Sequence, residues 1–162
     1  MEGSMKLEIK PLWDEVERVR EESASFLTSK GLEKDAVFSL SMVVGELVEN
    51  SIKYGKQGDE KALVGISLDV SGGLVTVEVT NLVDDTAYAH LARLDRTIQW
   101  IRGFQDPFEA YVERMKEVAR RQMEDKESGL GLVRIAYEGR AILDFFLDES
   151  EILNVSAVLN LE

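Results

Sequence analysis

Three polar side chains of different chemistry recur along one stretch of the sequence: Glu46, Asn50 and Lys53. Their spacing of four and then three residues places a carboxylate, an amide and an ammonium on one line of a helix. Asparagine is a mediocre helix former, so its position inside a helical stretch needs a reason. The line is either a functional site or a solvated helix face that includes a Glu49–Lys53 ion pair, and the spacing alone is compatible with both.

A second group of residues, Ser128-Gly129-Leu130-Gly131-Leu132, precedes a short predicted helix. Ser128 can cap that helix, and the two glycines let backbone N–H groups approach a ligand because no Cβ lies in the way. The first turn of a helix has unpaired N–H donors and a partial positive charge, which suits a phosphate group. An ordinary helix start with small residues for close packing explains the same pattern.

The composition excludes several classes of site and partner. The chain has 162 residues and no cysteine, which excludes disulfides and thiolate zinc sites, and one histidine, His90, cannot form a poly-histidine metal site. With 19 basic and 31 acidic residues the net charge is −12, so neither nucleic acid nor an anionic membrane is an expected partner. The sequence shows no membrane-spanning apolar run and no signal peptide, and we expect a cytoplasmic location.

The elements that must position these residues follow the order strand, helix, helix, hairpin, helical insert, helix, hairpin. We expect one domain over residues 1–162, of the α+β class: a two-layer α/β sandwich with a mixed sheet covered on one face by helices. The first four residues are assigned no structural role. The predicted strands are 6–10, 62–70, 74–79, 141–147 and 152–161, the predicted helices before the hairpin are 12–27 and 33–54, and the helical insert covers about 82–128.

The two motifs, taken in order, resemble those of a known superfamily. The stretch from Glu46 to Gly55 resembles the N box of the Bergerat-fold (GHKL) ATPases, and Gly129-Leu130-Gly131-Leu132 resembles their second glycine box. The predicted hairpin lies between the motifs, where the family places it. The resemblance covers about residues 33–161 and is strongest to the serine kinases of bacterial partner-switching systems, including the SiaB-type protein kinases.

The resemblance implies a nucleotide site that holds ATP and Mg²⁺. Asn50 would ligate the Mg²⁺, and Glu46 would be the general base that orients the attacking hydroxyl. Lys53 would approach phosphate oxygens, Tyr54 would line the adenine side, and the residues of the second glycine box would hold the phosphates. Phosphoryl transfer depends mainly on positioning and charge neutralisation, so this small set of groups suffices for it.

One part of the sequence departs from the family pattern. The first glycine box of the family, Asp-x-Gly-x-Gly, corresponds here to residues 80–85, where Asn81 replaces the aspartate and both glycines are missing. The side-chain oxygen of Asn81 can still accept a hydrogen bond from the adenine amino group. The predicted helical insert stands in place of a glycine-rich ATP lid.

The expected function is therefore that of an ATP-dependent protein kinase of a partner-switching pathway. It would transfer the γ-phosphate to Ser or Thr of a STAS-like or sigma-factor-type regulatory protein. The alternative is a nucleotide-dead or weakly nucleotide-binding relative that sequesters a protein partner, and the missing glycines favour it. Self-association as a homodimer is left open.

Overall fold

The computed structural model describes residues 2–55, 62–83, 88–103, 112–113, 141–147 and 152–161. Within these ranges the chain forms five strands and three helices of the α+β class. The elements in chain order are β1 (Gly3–Ile9), α1 (Asp14–Ser29), α2 (Lys34–Tyr54), β2 (Val64–Ser71), β3 (Leu74–Leu82), α3 (Tyr88–Arg102), β4 (Ala141–Leu147) and β5 (Ile152–Asn160).

The strands form one sheet in the order β1-β2-β3-β5-β4, and all four pairings between them are antiparallel. The expected mixed sheet is therefore wrong for the described strands. Gly72 and Gly73, with positive φ, form the tight turn between β2 and β3, which requires antiparallel strands. Strands β1 and β2 are connected through α1 and α2 and also pair antiparallel, with Gly3 opposite Val70 and Ile9 opposite Val64.

The hydrophobic core lies between one face of this sheet and the helices. Strand β2 buries alternate residues and β3 does the same, as period-two strands with one covered face must. Helix α2 contributes the largest helical share of the core, with Leu40, Met42, Val43, Val44, Leu47, Val48 and Ile52 all buried. Helix α3 adds Leu94, Ile98 and Ile101 to the same core. The two-layer arrangement with helices on one face is thus confirmed.

The largest differences between the observed and the predicted element bounds are at the start of β1 and at the end of β3. Strand β1 begins at Gly3, and Gly3 and Ser4 pair with Val70 and Asp69, so assigning no structural role to the first four residues was wrong. Strand β3 continues to Leu82, three residues beyond the predicted end, and thereby includes Asn81. The described part of the predicted insert contains α3, which confirms a helix there, whereas most of residues 104–140 lie outside the described ranges.

In the described part of the chain, no helix is both long enough and apolar enough to cross a membrane.

The packing of α2 predicts a large difference between two neighbouring substitutions. Leu40 is 1% exposed, and Leu40→Ala should lower the free energy of unfolding by about 2–5 kcal/mol because it leaves a cavity in the hydrophobic core. Phe38 lies two residues earlier in the same helix but is 76% exposed, so Phe38→Ala should cost less than about 0.5 kcal/mol. Urea unfolding of both variants tests this assignment, and equal losses would contradict the packing of α2.

Candidate functional site

The predicted polar line lies on one side of α2, next to the buried side. Glu46 and Asn50 are half-buried and Lys53 is exposed, whereas Leu47 and Ser51, the residues that follow Glu46 and Asn50, are buried. The apolar residues of α2 pack on the sheet, so the helix cannot rotate without moving this line. The structure therefore places Glu46, Asn50 and Lys53 side by side on a rigid element, as their spacing predicted.

Asn81 lies near the end of β3, on the face of the sheet that the helices cover. It follows Val75, Val77 and Val79 in the alternation of buried residues, and it is itself only 6% exposed. Its side-chain Nδ2 donates a hydrogen bond to the backbone carbonyl of Leu82, at 3.3 Å. This bond orients the amide, so that Oδ1 is the atom that can accept a hydrogen bond from a ligand.

Gly55 joins the end of α2 to Asn81. Its N–H donates to the carbonyl oxygen of Ser51 at 2.9 Å, and the helix ends there. A Cβ on Gly55 would lie 2.5 Å from that oxygen and 2.8 Å from Nδ2 of Asn81. Glycine is therefore required for the close approach of helix and strand. Through this contact the structure brings Asn81 to the same end of α2 as Lys53.

These residues are compatible with a magnesium nucleotide, though not with a metal site made of protein groups alone. Among the described residues, no group of three or more His, Cys, Asp or Glu side chains could hold a metal ion. Mg²⁺ commonly takes one or two protein ligands and completes its shell with phosphate oxygens and water. A single amide ligand from Asn50 agrees with that pattern. Its half-buried position beside a carboxylate and near an ammonium suits a charged ligand.

Several predicted site residues fall outside what the structure describes. Gly129, Leu130, Gly131 and Leu132 all lie outside the described residues. Tyr54 is the last residue of α2, where only its backbone is described. The contact between Gly55 and Asn81 was missed from the sequence. The sequence predicts Gly55 only as the end of a helix. Asn81 lies 26 residues later in the sequence, so no local pattern shows that the two residues meet.

Comparisons with known proteins identify a family and a similar fold. Residues 9–136 match the sequence profile of a family described as the histidine kinase-like ATPase domain. The fold is similar to that of a chain in the crystal structure of the SiaB-SiaC complex from Pseudomonas aeruginosa, with a TM-score of 0.73 and 21% sequence identity. The match covers 96% of this chain and 88% of that chain. No curated protein sequence matches significantly.

The contact at the end of α2 predicts an unusually high cost for a small substitution. Gly55→Ala should lower the free energy of unfolding by about 1–3 kcal/mol, because backbone and a buried amide must move to admit the methyl group. Gly3→Ala is the control. A Cβ there would meet only the end of the Lys30 side chain, at 2.6 Å, and that end can swing away. Equal losses in the free energy of unfolding of the two variants, measured with urea, would contradict the contact between Gly55 and Asn81.

Proposed function

The chain belongs to the histidine kinase-like ATPase family, and on this premise we propose that it is an ATP-dependent protein kinase of a partner-switching pathway. It would transfer the γ-phosphate of ATP to a Ser or Thr hydroxyl of a STAS-like regulatory protein. The observation that carries the proposal is the placement of Glu46 and Asn50 on one half-buried line of α2, with Asn81 at the end of that helix. A carboxylate, an amide oxygen and a buried hydrogen-bond acceptor are the groups that such a transfer needs.

Each residue has a distinct task in the proposed reaction. Asn50 would hold Mg²⁺ through its side-chain oxygen, and Asn81 would accept a hydrogen bond from the adenine amino group. When bound, Mg²⁺ would neutralise part of the phosphate charge. Lys53 is exposed and adds positive charge near the phosphates. Glu46 accepts the proton of the attacking hydroxyl while the new O–P bond forms and the bond from the γ-phosphorus to the bridging oxygen breaks.

A protein partner is proposed as the acceptor of the phosphate. The structurally similar chain comes from a complex of two proteins, SiaB and SiaC, which supports a protein partner for the present chain. The net charge of −12 makes nucleic acid an unfavourable partner. We also expect the reaction to take place in the cytoplasm. The proposal does not depend on whether the chain forms a homodimer.

One observation favours a second candidate function. Residues 80–85 lack both glycines of the family's first glycine box, the residue type that lets a backbone approach a ligand most closely. A relative that has lost nucleotide turnover would act by binding and sequestering its protein partner. The two candidates differ in whether the polar line on α2 still contacts a nucleotide.

Replacement of Asn50 tests nucleotide binding directly. Wild-type protein should bind ATP more tightly with Mg²⁺ than without it, and Asn50→Ala should lose about 1.5–3 kcal/mol of that affinity because a charge-bridging ligand is removed. Isothermal titration calorimetry with and without Mg²⁺ measures the difference. Glu33→Ala, at the start of α2 and far along the helix from Asn50, is the control and should bind as wild type does. Equal, Mg²⁺-independent binding by wild type and Asn50→Ala would remove Asn50 from the metal site.

Replacement of Glu46 separates the kinase from the sequestering protein. Glu46→Gln keeps the size of the side chain and removes its charge, so ATP affinity should change little while phosphate transfer falls roughly 10²–10⁴-fold. The assay uses radiolabelled ATP and STAS-like proteins encoded beside the gene of this chain. Unchanged transfer would exclude Glu46 as the base. Tight partner binding without transfer by wild type would establish the sequestering protein instead.

A further inference from the structure

Arg20 of α1 crosses to α2 and lies directly on Gly45, the residue that precedes Glu46. A Cβ on Gly45 would lie only 2.6 Å from both Cζ and Nη2 of Arg20. The guanidinium plane therefore occupies the space that any other residue at position 45 would fill with its own side chain. Glycine is a poor helix former, so its presence inside a 21-residue helix is explained by this contact.

The position of Arg20 is not explained by stability alone. Its Nη2 lies 3.4 Å from Oε1 of Glu49, and both side chains are about one-third exposed, which makes the ion pair weak. Its Nε is buried and has no hydrogen-bond partner among the residues that the structure describes. An unpaired buried donor is unfavourable, and a methionine could fill the same space without one. Local rules are broken most often where function requires a particular side chain.

The contact spans the turn of α2 that carries the proposed catalytic base. Gly45 and Glu49 are one turn apart, and Glu46 lies between them in sequence on the adjacent line of the helix. The buried residues of α2 fix the helix against the core, whereas Arg20 contacts only this turn, from the side of α1. A displacement of α1 against α2 would therefore act on the turn that carries Glu46 through the planar guanidinium of Arg20.

We propose that Arg20 is a positioning residue, whose guanidinium on Gly45 and beside Glu49 holds the turn of α2 that presents Glu46 to the attacking hydroxyl. This inference rests on the proposed kinase function. Arg20 itself touches neither nucleotide nor acceptor in this role. Its loss should therefore reduce the rate of transfer and leave ATP binding nearly intact.

The test is a double-mutant cycle between the two contacting residues. Arg20→Met and Gly45→Ala should each lower kcat for phosphate transfer roughly 10- to 100-fold, because small misplacements of a reacting group have effects of that size. The KM for ATP should stay within about twofold. The double variant should be no slower than either single variant, because both substitutions remove the same contact between the guanidinium and Gly45. Arg20→Lys should restore activity only in part, since lysine keeps the charge but not the plane.

Arg18→Met is the matched control. Arg18 lies on the same helix, and its described ion pairs, to Glu15 and Glu22, stay within α1, so this variant should keep the wild-type kcat. The kcat values are expressed per ATP-binding site titrated, so that a loss of folded protein alone would leave them unchanged. Full kcat in Arg20→Met, or additive losses in the double variant, would overturn the positioning role while the kinase stands. A wild type that transfers no phosphate would overturn both.

Discussion

Burial of the apolar side of α2 against the sheet is the constraint on which the rest of the structure depends. Leu40, Val43 and Leu47 are buried in the core that α2 shares with the strands, and a helix held in this way must carry its polar groups on its other sides. One flank carries Glu46 and Asn50, and the other faces α1. The orientation of the candidate site therefore follows from core packing. Sites on such rigid elements hold their side chains precisely.

Much of this arrangement could be predicted from the sequence because it follows from local periodicity. The bounds of α2 and β4 were predicted within one residue, since an apolar stripe or an alternating run decides them. The end of β3 was not, because Thr80 and Asn81 continue the alternation with polar side chains that carry no apolar signal. The antiparallel pairing of β3 with β5 also escaped prediction, because it joins residues about 80 positions apart in a register that no local pattern encodes.

In the candidate site, too, features set by local spacing could be predicted, whereas contacts between elements far apart in the sequence could not. Glu46, Asn50 and Lys53 were predicted together because helical spacing alone aligns them. The contacts of Gly55 with Asn81 and of Gly45 with Arg20 were missed, since each joins two elements across the fold. Glycine is common at the end of a helix, so Gly55 gives no special signal, whereas Gly45 lies where a helix disfavours glycine. At Gly45, in the helix interior, this choice costs up to about 1 kcal/mol relative to alanine.

The neutral amide at Asn81 bears on whether the site still serves a nucleotide. A carboxylate at this 6% exposed position would carry a large desolvation cost unless a cation or several donors surrounded it. It would also face the carbonyl oxygen of Leu82, to which Nδ2 of Asn81 now donates. Asparagine thus keeps an acceptor oxygen at a buried position where aspartate would be unfavourable. Burial and hydrogen bonding therefore favour asparagine here, and they leave the proposed contact of Oδ1 with adenine possible in chemical terms.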